Sequence, residues 1–548
     1  MDERIITTNK VNFPNILGLG KWLFDQLQKA ASKNKIAQIL AETGETDSYA
    51  SLLERCIRTA ITLKKKGIEQ GDIICSCTNN HLNSCVPLIA TQFIGGVYAS
   101  LDPSLSEFDM RLLLTQVRPK IIFSNLESAP ILEEILRSEG TDCEIVVFGE
   151  SDEYTEFAQF LGQQPEESDF NPVEIDITTT AFMFFSSGTT GYPKAICSKH
   201  SNFMTLLDLN SILKQTLDYE RVAFEAKLRG NMPEVNMWYT TYYWLSAVSV
   251  LFHAILFEGI SIICDKFNTT QLWTFIDKYN VHTLMLSSTK AIQMCKSEKP
   301  QNVDVSRLMR LVIGGNKTHE EFVLGLRNML PNTTVFQMYG LTEAGVCTIF
   351  LPPIKSHMIS IRNKPNSVGY PVNGFTFKIV DIETEEILGA NEVGEIRIKS
   401  DTVMNGYYKL DSSFCFDKDG FLKTGDSGYY DEERCFYIED RLKEVLKYRD
   451  WHVQPLIIEQ EILTHPDVRE AIVIGVPHPE DGEHPLAIVV IDENSSLTPE
   501  ELINYVDQKV DDRKRLRGGV KFVNELPKTP SDKIKRMEVK KWVNEGKI

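Results

Sequence analysis

The sequence contains the stretch Ser186-Ser187-Gly188-Thr189-Thr190-Gly191-Tyr192-Pro193-Lys194, which directly follows the apolar run Ala181-Phe182-Met183-Phe184-Phe185. A short, uninterrupted apolar run that ends in turn-forming residues predicts a buried strand. Glycines allow successive backbone N–H groups to turn inward, and serine and threonine hydroxyls add further donors. Lys194 supplies a positive charge at the end of the loop. The stretch therefore predicts a strand followed by a phosphate-binding loop.

A Walker P-loop and a surface linker are the two alternatives to this prediction. The loop is not a Walker P-loop, because that motif requires Gly-Lys-Ser/Thr, whereas Pro193 precedes the lysine and Ala195 follows it. A surface linker is the usual structure of Gly/Ser/Thr-rich segments. A linker rarely follows a buried strand so abruptly, and phosphate binding is therefore favoured.

The composition describes a globular protein of more than one domain. The chain has 548 residues, of which 42% are hydrophobic and 24% charged, and this length predicts two to four domains. The net charge of −18 argues against nucleic acid as a partner, because phosphate backbones require clustered Lys and Arg. The eleven cysteines are scattered without a CxxC pair, which favours reduced thiols over disulfides or zinc.

The segment from Tyr242 to Cys264 is long and apolar enough to resemble a membrane span. It is interrupted by polar residues and by Glu258-Gly259, and we predict a buried helix to about Phe257, a turn, and a strand at 260–264. No transmembrane segment is therefore expected. The first residues lack the apolar region of a signal peptide. The C-terminal Gly-Lys-Ile is a weak match to a peroxisomal tripeptide, and a peroxisomal or cytoplasmic location is expected.

Helices and strands are predicted to alternate in two parts of the chain, which indicates parallel βαβ units and an α/β fold. The first part has predicted helices at 49–66, 84–93 and 108–117 and strands at 73–77, 97–101 and 121–123. The second has predicted helices at 271–279 and 320–329 and strands at 283–286, 311–313 and 334–338. Residues 150–176, acidic and aperiodic, are predicted to be a surface excursion between them.

Shorter strands at 376–380, 395–399 and 435–438 predict a β-rich subdomain after Val368. The composition then changes near Arg441-Lys443, where a small unit of about a hundred residues begins. We predict a large multi-subdomain N-terminal domain, 1–440, with βαβ sheets and the β-rich subdomain. A small α+β C-terminal domain, 441–548, would follow it.

Several further motifs carry chemistry suited to a nucleotide. Gly314-Gly315 follows a strand and permits close approach to a flat ligand. Tyr339 could stack on a base, while Thr342 and Glu343 offer oxygen ligands for phosphate or Mg²⁺. Asp426 lies on the turn Thr424-Gly425-Asp426, where a carboxylate suits a sugar diol. Each motif alone is weak, since a single carboxylate or lysine is usually a solvated surface group.

Together and in this order, the motifs resemble those of the adenylate-forming superfamily of acyl-CoA synthetases, 4-coumarate:CoA ligases and beetle luciferases. The similarity covers nearly the whole chain and is nearest to the insect luciferase-like fatty acyl-CoA synthetases. It is carried by SSGTTGYPK at 186–194, GGN at 314–316, YGLTE at 339–343, GEIRIKS at 394–400, TGD at 424–426, DRLKEVLKY at 440–448 and PKTPSDKIKR at 527–536.

The resemblance implies two half-reactions. A carboxylic acid attacks the α-phosphate of ATP, which releases pyrophosphate and leaves an acyl-adenylate, and coenzyme A then takes the acyl group. It implies that the C-terminal domain, 441–548, is a mobile lid. Lys533 would serve the first step and Lys447 the second, after the lid rotates about the hinge residue Lys443. Further implied positions are Thr342 and Glu343 as catalytic residues, with Glu343 binding Mg²⁺. The implied nucleotide-binding set comprises Ser186, Ser187, Gly188, Thr189, Thr190, Gly191, Lys194, Gly314, Gly315, Asn316, Tyr339, Gly340, Thr342, Asp426, Arg441 and Lys533.

This sequence differs from the family pattern at two places, one that concerns the acid substrate and one that concerns the acyl acceptor. Tyr242 and Tyr243, in the implied acyl pocket, stand where luciferases have histidines, which weakens the case for light emission. Asp450 replaces a glycine of the loop that lines the pantetheine tunnel, which puts coenzyme A use in doubt.

We therefore expect an acid–thiol ligase that activates a medium- or long-chain fatty acid or a similar apolar carboxylic acid. The alternatives are a luciferase-type monooxygenase, and an adenylating enzyme or binding protein that does not use coenzyme A.

Overall fold

The computed structural model describes residues 2–11, 17–186, 194–203, 232–442, 444–448, 451–528 and 533–548. These residues form a mixed α/β architecture in which five sheets are covered by helices. The predicted fold class, with a large N-terminal part and a small C-terminal one, is confirmed. The described α-helices are Gly18–Ala31, Tyr49–Lys65, Val86–Phe93, Glu107–Val117, Ala129–Ser138, Leu245–Leu256, Thr269–Lys278, Ser288–Lys296, Glu320–Met329, Lys355–Asn363, Pro455–Leu463, Pro499–Asp507 and Arg536–Asn544.

The first sheet has seven strands and contains the strand that precedes the predicted phosphate loop. All neighbouring strands are parallel except one pair at the edge of the sheet. There, the strand after the loop runs antiparallel to the strand before it. In spatial order the strands are Lys194–Lys199, Thr180–Ser186, Val97–Leu101, Ile73–Cys77, Ile121–Asn125, Glu144–Phe148 and Thr155–Glu156.

The second sheet also has seven strands and is parallel except at one edge. In spatial order they are Thr334–Gln337, Arg310–Gly314, Thr283–Ser287, Val235–Trp238, Ile260–Ile263, Ile36–Leu40 and Thr46–Ser48. A large apolar core lies between the two sheets. It contains Phe182 from the first sheet, Trp238 from the second sheet and Phe252 from helix Leu245–Leu256. The two sheets therefore share one core.

Two antiparallel sheets follow. The larger, the predicted β-rich subdomain, contains Ile6–Thr7, Thr376–Val380, Gly394–Lys399, Leu422–Tyr430 and Phe436–Arg441, with Ile387–Leu388 beside the second of these. The smaller contains Tyr339–Leu341, Gly345–Ile349 and Tyr370–Pro371.

The C-terminal sheet is built around a long hairpin. Its strands in spatial order are Trp451–Val453, Leu446–Tyr448, Gly482–Ile491 and Val468–His478, and Gly519–Phe522 pairs with the third of these. Helix Pro499–Asp507 of this unit begins with a capping box, in which Thr498 and Glu501 satisfy each other's backbone N–H groups.

The apolar segment 242–264 folds as predicted, with helix Leu245–Leu256 followed by strand Ile260–Ile263. Glu258 adopts φ +53° at the turn, and its buried carboxylate is bound by Lys29, Lys33 and Lys35. Burial opposes ionisation, but the hydrogen bonds from these lysines lower the pKa of Glu258 to about 2. Among the described residues, no helix is long and apolar enough to cross a membrane.

Two predicted segments differ from the structure. The acidic segment 150–176 is not wholly at the surface, because Phe157 and Phe160, in the short helix Phe157–Leu161, are buried in the shared core. Tyr339 does not merely end a strand in a turn. It begins the short strand Tyr339–Leu341, and a Cβ on Gly340 would lie 2.5 Å from the carbonyl oxygen of Gly345, so this close hairpin requires glycine.

Candidate functional site

The centre of the site lies at the carboxyl edge of the second sheet. Arg310–Gly314 and Thr334–Gln337 are parallel neighbours, so the residues that follow them, Gly315 and Tyr339, emerge at one edge. Gly315 adopts φ +94°, a conformation that favours glycine. This edge is where open α/β sheets bind their ligands.

Asp426 is held beside Tyr339 by two contacts. The hydroxyl of Tyr339 donates to Oδ2 of Asp426 at 2.7 Å, and Nε of Arg441 lies 2.7 Å from Oδ1. Asp426 and Arg441 are directly opposite each other on adjacent antiparallel strands. Both carboxylate oxygens are thereby fixed in orientation, while the side chain of Arg441 remains half-exposed.

Burial raises the pKa of Asp426 above its usual value, and the charge of Arg441 and the hydrogen bond from Tyr339 oppose that rise. The pKa of Tyr339 is raised well above its usual value by burial and by Asp426. Tyr339 therefore stays a hydrogen-bond donor, and Arg441 supplies the charge that favours ionised Asp426. A buried, oriented carboxylate of this kind can accept hydrogen bonds from a ribose diol.

Lys533, from the C-terminal part of the chain, lies at the same edge. A Cβ placed on Gly315 would be 4.0 Å from Cε of Lys533. Burial, together with the charge of Arg441, lowers the pKa of Lys533 to about 8, although Asp426 acts in the opposite direction. The structure thus brings a partly buried amine from one part of the chain to the strand ends of another.

Arg536 holds the segment that carries Lys533. Its Nε donates to Glu444 at 3.0 Å, and its NH1 lies 2.7 Å from Glu459. Asp440, next to this group, accepts hydrogen bonds from the backbone N–H groups of Arg441 and Leu456. Burial raises the pKa of Asp440 to about 7. Lys533 is therefore positioned through a buried ionic group close to Arg441.

Glu343 and Lys194 are connected through Tyr407. The hydroxyl of Tyr407 donates to Oε1 of Glu343 at 3.3 Å, and Nζ of Lys194 lies 5.1 Å from the centre of the Tyr407 ring. Burial raises the pKa of Glu343. Thr342 and Glu343 lie between two strands of the small sheet. Their hydroxyl and carboxylate oxygens are the ligand type that Mg²⁺ prefers, so the residues fit this ion.

The remaining glycine motif lies next to this centre. Gly314 is the buried last residue of its strand, and Asn316 is exposed just beyond Gly315. Gly340 is exposed on the hairpin next to Tyr339. The described residues of the GGN, YGLTE and TGD motifs therefore lie close together.

Tyr242 and Tyr243 are both buried but face different clusters. Tyr242 lies in the core shared by the two large sheets. Tyr243 packs with the strands on either side of the predicted phosphate loop, where its ring stacks on Phe185 with 6.2 Å between centroids. Burial raises the pKa of Tyr243, so the phenol is neutral. Tyr243 is thus the better placed of the two to border a substrate near the loop.

Part of the predicted site lies outside the described residues. This holds for Ser187, Gly188, Thr189, Thr190 and Gly191 of the loop, and for Lys443 and Asp450. Ser186 ends its strand, and Lys447 lies in strand Leu446–Tyr448, opposite His452.

Sequence reasoning missed Tyr407 and Arg536. Tyr407 follows Asn405-Gly406 in a loop whose backbone bonds to Ala195 and Cys197, a contact that no local pattern reveals. Arg536 lies three residues after Lys533 within the PKTPSDKIKR motif, and that proximity was an available signal.

The fold and these residues define the class of protein. A family model described as AMP-binding enzyme matches residues 26–408, and the AMP-binding enzyme C-terminal domain matches residues 457–533. The chain therefore belongs to the AMP-binding, adenylate-forming enzymes. Small carboxylic acids, ATP and coenzyme A are the substrates that fit this family.

Individual relatives support the same membership. Luciferin 4-monooxygenase of Nipponoluciola cruciata is 30% identical over 550 residues, covering 97% of this chain and 96% of that protein. Probable 4-coumarate–CoA ligase 3 of Dictyostelium discoideum is 30% identical, with 89% and 88% covered. The solved luciferase-like enzyme from the nonluminescent Zophobas morio mealworm is 34% identical, with a TM-score of 0.72 over 81% of this chain and 100% of that one.

Proposed function

We propose that this protein is an AMP-forming acyl-CoA synthetase that acts on a medium- or long-chain fatty acid or a similarly apolar carboxylic acid. The observation that carries the proposal is the position of Lys533. It lies against Gly315 and near the Tyr339–Asp426–Arg441 group. A cation and a diol-binding carboxylate at one sheet edge suit the transfer of an adenylyl group.

In the first step, an oxygen of the substrate carboxylate forms a bond to the α-phosphorus of ATP, and the bond to pyrophosphate breaks. Negative charge accumulates on phosphate and carboxylate oxygens, and a protonated Lys533 stabilises it. Asp426 holds the ribose hydroxyls. Glu343 and Thr342 would hold Mg²⁺, which would supply neutralisation of phosphate charge, and Lys194 adds a positive charge at the loop.

In the second step, the sulfur of coenzyme A forms a bond to the acyl carbon, AMP leaves, and the thiol proton passes to solvent. Lys447 serves this step in the proposal after the C-terminal domain rotates about Lys443. Sequential use of two lysines lets one site run both reactions.

The apolar surroundings of Tyr243 support an apolar acid. Phe185 and Trp244 contact its ring, with 4.9 Å between the centroids of Tyr243 and Trp244. Tyr243 packs in a cluster with Leu113, Met183 and Ala195, while burial and the carboxylates of Asp102 and Asp109 raise its pKa. A wall of this kind binds a hydrocarbon chain better than a polar substituent.

Pyrophosphate release with ATP and a panel of fatty and aromatic acids, with and without coenzyme A, tests the proposal. Release with an apolar acid, accelerated by coenzyme A and accompanied by a thioester, is the expected result. Release that ignores coenzyme A would assign another acceptor and implicate Asp450. Absence of release with every acid would favour the binding-protein alternative.

A luciferase-type monooxygenase is the second candidate, because relatives named luciferin 4-monooxygenase match over nearly the whole chain. We expect no light with luciferin, ATP and oxygen, since neutral Tyr243 occupies the position of a luciferase histidine. Light emission above that of heat-denatured protein would reverse the order of the two candidates.

We further propose a peroxisomal or cytoplasmic location. An N-terminal fluorescent fusion, compared with the same fusion in which Lys547 is changed to Ala, distinguishes the two. Punctate fluorescence that becomes diffuse in the variant indicates import through the C-terminal tripeptide.

A further inference from the structure

The long hairpin of the C-terminal sheet carries three potential metal ligands at its tip. They are His478, Asp481 and His484, and one ligand atom from each lies within 4.8 Å of the other two. All three are partly exposed and thus reachable from solvent. The group lies beside strand Leu446–Tyr448, because Tyr448 pairs with Gly482, and it has no part in the proposed adenylation.

The strand register explains why these side chains meet. His478 pairs directly with Gly482 across the hairpin, and Val476 pairs with His484. Because side chains alternate along a strand, His478 and His484 project from the same face. Gly482 contributes no side chain between them, and its φ of +82° closes the turn that carries Asp481.

The distances suit a divalent ion. Oδ2 of Asp481 lies 2.8 Å from Nε2 of His484 and 3.6 Å from Nδ1 of His478. Ligand bonds of about 2.0–2.2 Å in a tetrahedral zinc site place neighbouring ligand atoms about 3.3 Å apart. The two observed distances bracket that value, so shifts well below 1 Å would place the carboxylate oxygen correctly.

To share one ion, the two imidazole rings would have to rotate out of their stack, and the metal would replace the hydrogen bond between His484 Nε2 and Asp481. Their rings are stacked with 3.9 Å between centroids and 16° between planes. Nδ1 of His478 accepts a hydrogen bond from the backbone N–H of Asp481 at 3.2 Å. Rotation of the rings out of the stack replaces this bond with one to the metal and points both nitrogen lone pairs at one ion.

The donor set and charge select the ligand class. Two imidazoles and one carboxylate are the ligands of many zinc sites that keep a fourth position for water. The segment 478–484 also contains Glu480 and Glu483 and no lysine or arginine. Lys540 lies 3.6 Å from Glu483, and the remaining negative charge favours a cation. We infer that His478, Asp481 and His484 bind a single divalent transition-metal ion, with zinc as the expected occupant.

Metal titration of the tag-free, full-length protein, stripped with chelator beforehand, tests the inference. Co²⁺ is the spectroscopic probe, and Zn²⁺ affinity is measured by competition with a chromophoric chelator. The variants are His478→Gln, His484→Gln and the double variant. His465→Gln is the matched control, because His465 lies in the same domain and also accepts a backbone N–H at Nδ1.

We expect the wild-type protein and the control to bind one equivalent of metal with a visible Co²⁺ band. Each single variant should lose at least about tenfold in affinity, and the double variant should lose the band. Zn²⁺ should raise the Tm of the wild type but not that of the double variant. A cooperative melting transition of the double variant shows that it is folded. Equal binding by wild type and double variant, a thiolate charge-transfer band as the only signal, or no binding at all would overturn the inference.

Discussion

Removal of Lys533, or loss of its positive charge, should slow the first half-reaction. Lys533 is partly buried next to Gly315, and its pKa is lowered to about 8. Only the protonated amine can stabilise charge that develops between carboxylate and phosphate. Lys533→Ala should therefore lower the rate of pyrophosphate release by about two to three orders of magnitude, the usual cost of one such group. The Kd for ATP should change little by comparison.

The shifted pKa makes a more specific prediction about pH. A lysine of pKa about 8 is about 90% protonated at pH 7 and about 10% protonated at pH 9. The kcat/KM for ATP, which reports on the enzyme before nucleotide binds, should therefore fall roughly tenfold from pH 7 to pH 9. A lysine with an unshifted pKa near 10.5 would lose only a few per cent of its charge over that range.

The assay is coupled detection of pyrophosphate, with the acid saturating and without coenzyme A. Lys528→Ala is the matched control, since this lysine pairs with Glu470 and should keep both rate and pH profile. Lys533→Arg should retain a small activity that no longer falls between pH 7 and pH 9, because arginine stays charged. Wild-type activity in Lys533→Ala, or an alkaline fall that persists unchanged in Lys533→Arg, would refute the reasoning.

Three other perturbations test separate parts of the molecule. Lys447→Ala should change the rate of pyrophosphate release without coenzyme A by no more than about twofold, and should slow thioester formation by at least about tenfold. Equal losses in both steps would contradict sequential use of two lysines. Tyr339→Phe removes the 2.7 Å hydrogen bond to Asp426 and should raise the KM for ATP roughly tenfold, the worth of one hydrogen bond to a charged group; an unchanged KM would remove Asp426 from the ribose site. Glu258→Gln should lower the free energy of unfolding at pH 7 by about 1–2 kcal/mol, measured by urea denaturation. The shift of the Glu258 pKa from 4.5 to about 2 sets an upper limit of about 3 kcal/mol, which exposure of the lysines reduces. Because that pKa is depressed, the stabilisation is present above pH 4.5 and lost as pH falls through about 2, so the difference between wild type and variant should disappear there.

Strands buried on both faces were the most predictable elements. Ile73–Cys77 and Val97–Leu101 begin and end as the sequence predicted, because each is a short run of mostly apolar residues bounded by turn residues. Helix starts were less accurate. The helix predicted from Ser84 begins at Val86, since the hydroxyl of Ser84 bonds back to the carbonyl of His81 and closes a turn there.

What the sequence could not predict depends on contacts between distant segments. Phe157 and Phe160 occur in an acidic stretch without helical or strand periodicity, and only the shared core reveals why they are buried. Tyr407 reaches Glu343 because the loop after residue 400 crosses the strand of Ala195. The ordered motifs predicted which residues lie together, such as Gly315, Tyr339, Asp426 and Lys533, but their distances and altered pKa values come from the packing of different sheets around one edge.

The contacts that hold Lys533 in place suggest how it can be withdrawn. Among the described residues, each apolar cluster lies either before residue 439 or after residue 445, and none joins the two parts. The junction is instead polar. His319 lies 3.4 Å from Glu461, Lys535 lies 3.6 Å from Asp109, and Nζ of Lys296 donates to the carbonyl of Val468.

Partly exposed ionic contacts of this kind are worth about 1 kcal/mol or less each. Rotation of the C-terminal domain would break them without exposing a hydrophobic core, and new polar contacts can replace them in another orientation. The Arg536 group, in contrast, connects residues within the C-terminal part and would move with Lys533. Within the C-terminal part, Arg536 binds Glu444 and Glu459, whereas the polar contacts to the rest of the chain are individually weak. The proposed exchange of Lys533 for Lys447 would require this arrangement.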